Sequence, residues 1–174
     1  MSSELAATAS GPRAPVVQPP VLRAGESLGG SPIRFIGKET FVKLAAGNSA
    51  CPITVMEDIS PPHHGPPLHS HEFEEFFYIL TGEVLFEING QSFSAAPGDF
   101  VYVASGVPHV FQNTSDNNSR MLVLIRPGGI ESYFAELEAC SMANPGDIAA
   151  LNGIGAKYGI KILGPPIAAR GQAR

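Results

Sequence analysis

The chain's five histidines, His63, His64, His69, His71 and His109, all fall between positions 63 and 109. His69 and His71 open the run HSHEFEEFFYILTG, residues 69–82, which otherwise has the composition of a strand for an apolar core. Burying a bare imidazole or carboxylate is costly unless something pairs with it. On an extended strand His69, His71 and Glu75 share parity and point to one face, which continues through Phe77 and Ile79, while Glu74 points the other way. Two imidazoles and a carboxylate converging from one strand form the core of a site for a first-row transition metal. The second half of the pattern is GDFVYVASGVPHVFQN, residues 98–113. Gly98-Asp99 and Gly106 mark tight turns, Val101 and Val103 alternate inwards between them, and His109 follows Pro108. If this strand lies near the first in a closed barrel, His109 supplies a third imidazole. Three neutral imidazoles and one carboxylate leave coordination positions open on a divalent ion, and an open site suits chemistry where a saturated one suits structure. Fe, Mn, Ni, Co, Cu or Zn would each accept this donor set. Glu75 could serve both as a ligand and as the base that takes a substrate proton.

The elements that must position these side chains are short. From Pro32 to about Pro127, apolar runs such as CPITVME, EFFYIL, EVLFEI, DFVYVA and RMLVLI alternate with Gly, Pro, Asn and Asp, the pattern of an antiparallel all-β sandwich or barrel. The clearest hairpin is EVLFEI-NG-QSFSAA, where Asn89-Gly90 suits a two-residue type I′ turn and Val84, Phe86 and Ile88 share a face. After RPGG the period shifts towards that of a helix. Ile130, Tyr133, Phe134 and Leu137 form one apolar stripe, so a short helix should pack on the barrel. A second helix is expected after Asn144-Pro145, read as a cap followed by the first helical residue. The division is thus a flexible arm at 1–30, a barrel at 31–127, and a helical extension and tail at 128–174.

Composition bounds the partners. The 174 residues suffice for one filled domain, and Gly (19) with Pro (16) favours turns over long helices. A net charge of −5 and the lack of a Lys/Arg cluster argue against nucleic acid. No apolar run is long enough for a membrane span, and no secretory leader pattern opens the chain. Cys51 and Cys140 suggest no disulfide framework, so a cytoplasmic protein is expected. His63 lies in the Pro-rich loop PPHHGPPLHS, either at a pocket mouth or simply exposed. Phe73, Phe77, Phe86 and Phe111 could line a pocket for a flat substrate or form plain core. Asn113 is expected to satisfy backbone groups near the site, and Tyr78 and Tyr102 to face outwards.

These residues resemble the cupins. The cupin pattern HxH(x)3,4E(x)6G is met by His69, His71, Glu75 and Gly82, and G(x)5PxG(x)2H(x)3N by Gly98, Gly106, His109 and Asn113. Ala104 replaces the usual Pro, and His63 stands where the first motif opens with Gly; both departures leave the four ligand positions intact. More narrowly, PPLHSHEFEEFFYILTGEVLF, RPGGIESYFAEL and the ending Gly159–Pro166 look like small single-domain cupins of the quercetin 2,3-dioxygenase-like group. That resemblance implies a double-stranded β-helix, the cupin jelly-roll barrel, followed by one or two short helices. It also implies one divalent transition metal per chain, a homodimer, and a dioxygenase that uses O2 to open a flavonol-like or other enolisable aromatic small molecule. A redox-neutral isomerase or lyase, or a cupin that binds a small molecule without turnover, would use the same barrel.

Overall fold

The computed structural model describes residues 21–144 and 147–170. Among the described residues, eleven strands and three α-helices follow in the order β1 (Ile33–Phe35), β2 (Lys38–Leu44), β3 (Thr54–Ser60), β4 (Leu68–Ser70), β5 (Glu74–Thr81), β6 (Val84–Ile88), β7 (Gln91–Ala95), β8 (Phe100–Val103), β9 (His109–Asn113), β10 (Ser119–Arg126), α1 (Glu131–Ala143), α2 (Ile148–Lys157), β11 (Lys161–Gly164) and α3 (Ile167–Arg170), with a 3-10 turn at Ala46–Asn48 between β2 and β3. A six-stranded sheet runs β1-β2-β3-β10-β5-β8 and a five-stranded sheet runs β11-β4-β9-β6-β7. Each strand pair is antiparallel. The two sheets face each other as a jelly roll, the all-β class expected from the strand spacing.

Alternation along each strand builds the core. In β5, Phe77 and Ile79 are buried while Tyr78 faces out; in β8, Val101 and Val103 are buried while Phe100 and Tyr102 face out. In β10, Met121, Val123 and Ile125 point inwards. The β6–β7 hairpin closes through Asn89 and Gly90 at φ 49° and 77°, the left-handed backbone that a type I′ turn requires. Phe86 lies at the centre of the packed interior, with ring centroids 5.3 Å from Phe77 and 5.7 Å from Phe111. Asn113, 1% exposed, donates through Nδ2 to the Ser60 and Asn117 carbonyls and accepts from Ser115 N–H, the backbone role expected of it.

Several boundaries differ from expectation. Of the arm at 1–30, residues 1–20 lie outside the described residues, while 21–30 are tied to the barrel. Leu28 N–H donates to the Val42 carbonyl (2.7 Å), Val42 N–H donates to Ser27 Oγ (3.1 Å), and Lys43 Nζ reaches the Arg23 and Glu26 carbonyls. β1 pairs only with residues 38–40, so this segment covers an edge of β2 that would otherwise stand open. Helix α1 carries the expected stripe, with Ile130 and Leu137 buried and Tyr133 and Phe134 packed on the core. Helix α2, however, is capped by Asp147, whose carboxylate accepts from Ala150 N–H, while Asn144 ends α1 and Pro145 lies outside the described residues. The extension is also not purely helical. β11 returns to the five-stranded sheet and pairs Ile162 with His69. Among the described residues no helix is long and apolar enough to cross a membrane.

Candidate metal centre

The cluster is assembled from both sheets. His69 sits in β4, directly opposite His109 in β9, within the five-stranded sheet. The chain then leaves that sheet at His71, bends through Glu72 and Phe73, and re-enters as β5 in the other sheet, bringing Glu75. The expectation of one continuous strand is therefore corrected: His71 lies in a bend at residues 71–73, between His69 on β4 and Glu75 on β5, and convergence comes from the two sheets meeting. Gly106, at φ +76°, donates its N–H to the His71 carbonyl (2.7 Å), which ties the turn before β9 to this bend. The His71 ring is fixed further by Phe73, stacked on it at 3.6 Å and 7°.

The hydrogen bonds decide which ring nitrogens are free. His69 Nδ1 lies 2.8 Å from the Pro67 carbonyl, His71 Nδ1 3.0 Å from that of Phe73, and His109 Nδ1 2.9 Å from that of Val107. A carbonyl oxygen only accepts, so each Nδ1 carries the proton and each Nε2 holds a lone pair when the ring is neutral. Such backbone carbonyls fix the tautomer of metal-binding histidines. Glu75 Oε2 lies 3.0 Å from His109 Nε2 and 3.5 Å from His71 Nε2. Beyond that longer approach to Glu75, His71 Nε2 is buried with no other hydrogen-bond partner among the described residues. All four candidate ligand atoms fall within 4.8 Å of one another. Four electron-rich atoms this close require a positive charge among them, so the donor set fits a divalent transition ion.

The electrostatics agree. Burial works to raise the Glu75 pKa, yet attraction to His109 and His71 outweighs it and holds the carboxyl below the usual range. Burial lowers His109, but the bond and charge of Glu75 leave it raised. His69 is pushed down to about 4, chiefly by burial and then by the neighbouring His109.

The cluster opens onto a cavity of about 660 Å³ lined mainly by apolar side chains, among them Met56, Phe111, Val123, Ile130, Phe134 and Leu151. Tyr133 also lines it, and burial with the nearby Glu75 charge pushes its hydroxyl up to about 12.

The cupin-domain family model matches residues 56–125, the stretch that carries both motifs and all four candidate ligands. Residues 56–125 are a cupin domain. It is 38% identical over 66 residues to the oxalate-binding protein of Thermotoga maritima, covering 37% of this chain and 54% of that one. It is 33% identical over 70 residues to the quercetin 2,3-dioxygenase of Bacillus subtilis, covering 40% and 20%. The chain thus spans about half the length of the first relative and a fifth of the second. The structure of KdgF from Halomonas sp. superposes with a TM-score of 0.50 at 15% identity, over 55% of this chain and 84% of the other, a likeness of fold alone.

Around this cupin domain the sequence-derived pocket divides. His63, Phe73 and Phe111 line the cavity. Phe77 and Phe86 do not; both are 1% exposed and pack against each other in the core. They share the inward face with the site but lie deeper along the barrel. Glu74 faces outwards as expected, accepting from the Tyr102 hydroxyl (2.7 Å) and from Arg126 Nε (2.9 Å). The cavity wall that sequence reasoning missed comes from α1, α2, β2 and β11. The stripe on α1 was visible, but nothing in its spacing says that the helix lines the cavity rather than the barrel flank.

Proposed function

We propose that the protein is a metal-dependent dioxygenase of the quercetinase-like kind, acting on a flavonol-like or other enolisable aromatic small molecule. One observation carries this reading: three tautomer-fixed imidazoles and an ionised carboxylate lie at one end of an apolar cavity large enough for a molecule of several rings. His69, His71, Glu75 and His109 would hold the ion. When bound, a divalent ion there acts as a Lewis acid and lowers the pKa of a hydroxyl brought to it. Phe73, Phe111 and Phe134 supply flat surfaces that orient an aromatic substrate and exclude water. Glu75, kept ionised, accepts the enol proton. Tyr133 stays protonated and offers a hydrogen-bond donor beside Glu75. Ring opening with both atoms of O2 entering the product needs no external reductant, and no group on this chain is asked to supply one. The partial similarity to a quercetin 2,3-dioxygenase supports this choice.

The similarity to an oxalate-binding protein favours a second reading, in which the same four donors hold an ion that binds a small carboxylate without consuming oxygen. The cavity argues for the larger ligand, because oxalate would leave most of its apolar wall wet. In either case the protein would work as a soluble homodimer, a state that light scattering measures. Metal analysis of natively purified protein, followed by an oxygen-electrode screen with flavonols, catechols and β-diketones, tests the proposal. Stoichiometric metal with substrate-dependent oxygen uptake is expected; loaded protein that consumes none with any of the three classes refutes the dioxygenase.

A further inference from the structure

The cavity has a second polar end. On the inward face of β2 and β3, Lys38, Thr40 and Asp58 are 6%, 0% and 3% exposed. Lys38 Nζ lies 2.5 Å from Asp58 Oδ2, and Thr40 Oγ1 donates to Asp58 Oδ1 at 2.8 Å, so both carboxylate oxygens are occupied. The ammonium also sits over the rings of Phe35 (5.5 Å) and Phe134 (5.0 Å). It carries three N–H donors, more than Asp58 uses. Beside this pair is His64, whose ring also has a backbone hydrogen bond to Ile36 and whose Nδ1 is buried with no hydrogen-bond partner among the described residues. Lys38, Asp58 and His64 all line the same cavity as the metal cluster. Buried polar atoms in folded proteins nearly always have partners, so an orphan facing a cavity points to a missing one.

This end is built rather than loose. His64 N–H donates to the Pro61 carbonyl (3.2 Å), and the His64 carbonyl accepts from Asn113 N–H (2.9 Å). At the next residue a Cβ would fall 1.9 Å from the Phe111 carbonyl oxygen, so only glycine lets the loop lie this close to β9.

Sheet register gives the separation of the two ends. Glu75 stands level with Ile125 and Thr54, whereas Asp58 stands level with Met121 and Ile79, four residues farther along and two strands across. Strand geometry makes that about 13 Å along the strands and about 10 Å across them. Met56 and Val123 form the apolar floor between.

We infer that Lys38 and His64 form a second recognition subsite, which takes a neutral hydroxyl carried at the far end of an elongated, largely apolar ligand. The hydroxyl oxygen accepts from Lys38 Nζ, and its proton goes to His64 Nδ1 as a hydrogen bond. A full anion is disfavoured there, because Asp58 already neutralises the ammonium and would repel it. Burial, reinforced by the Lys38 charge, keeps the imidazole neutral and able to accept. The subsite deepens the dioxygenase reading by naming what its substrate carries opposite the enol, and it rests on that reading only for the identity of the other end.

The test uses 2-naphthol, naphthalene and 2-naphthoate as probes, titrated into the full chain as purified and again after EDTA treatment. Wild type should bind 2-naphthol about tenfold tighter than naphthalene, the size of one good hydrogen bond to a charged donor, with and without EDTA. In His64→Leu, and independently in Lys38→Met/Asp58→Leu, which removes the ion pair whole, the preference should fall to about twofold or less while naphthalene binding holds. Equal affinities in wild type, a preference that survives both variants, or one that vanishes with EDTA would overturn the subsite. Tighter binding of 2-naphthoate than of 2-naphthol would overturn its preference for a neutral group. Failure of oxygen uptake, by contrast, would refute the dioxygenase and leave these titrations interpretable.

Discussion

Replacing His109 by Ala is the sharpest perturbation of the candidate metal centre. His109 is 1% exposed, its Nδ1–H is committed to the Val107 carbonyl, and its Nε2 lies 3.0 Å from Glu75. The substitution removes one of four donors, and no other described histidine lies in the cluster to replace it. Loss of a mere supporting group around a metal costs about 10–100-fold in affinity, so loss of a ligand should exceed about 100-fold. A ligand at 100 times its Kd stabilises the fold by about 2.7 kcal/mol. For a chain of 174 residues that corresponds to a rise of roughly 5–10 °C in melting temperature. Wild type loaded with Zn²⁺, Mn²⁺ or Fe²⁺ should therefore melt that much higher than EDTA-treated protein, and His109→Ala should show almost no such difference. His64→Leu, which lies outside the four donors, should keep the full shift. Scanning calorimetry paired with elemental analysis reads both quantities. Stoichiometric metal in natively purified His109→Ala protein, with an undiminished thermal shift, would refute the four-donor centre.

Other consequences follow from the same contacts. Phe86→Ala should cost about 3–5 kcal/mol, as for other large aromatic truncations in a core, and should lower the urea midpoint without abolishing metal binding. Asn113→Leu strands the Ser60 and Asn117 carbonyls and the Ser115 N–H; a loss of roughly 2–4 kcal/mol in the same urea titration is expected. Burial depresses the folded-state pKa of His64 to about 4, whereas the unfolded value is about 6.5. The unfolded chain then binds the extra proton first, so stability is full above about pH 6.5 and falls as pH drops towards about 4. His64→Leu should lack this component, visible as a flatter pH dependence of unfolding worth roughly 1–3 kcal/mol after allowance for partial exposure. An identical slope in both proteins would show that His64 is not buried neutral.

Much of the barrel was legible because β structure with two distinct faces writes itself as period-two alternation. Phe77 against Tyr78, and Val101 against Tyr102, face as their parity requires. The donor set was legible for the same reason, helped by turn glycines that fix where a strand may begin. Alternation reports a face, though, and not a depth. Phe73 and Phe111 reach the cavity while Phe77 and Phe86 stay in the core, and nothing in their spacing separates the two pairs. A three-residue bend changes sheets without changing parity, which is why His71 and Glu75 looked like one strand. Lys38 and Asp58 were missed because a charge in a strand ordinarily faces water; each escapes that rule only because the other is 2.5 Å away. The cap of α2 was misplaced because Asn144 and Asp147 are both good caps, and only the hydrogen bond from Ala150 tells them apart.

The segment after residue 127 has a bearing on how such proteins change over time. It lends the cavity Ile130, Tyr133, Phe134, Leu137, Leu151, Ile160 and Ile162, yet it falls outside residues 56–125, where the family likeness resides. Part of the cavity wall therefore lies on a different stretch of chain from the four candidate ligands. Grafting a different tail onto this barrel should change the shape of the cavity while leaving His69, His71, Glu75 and His109 in place.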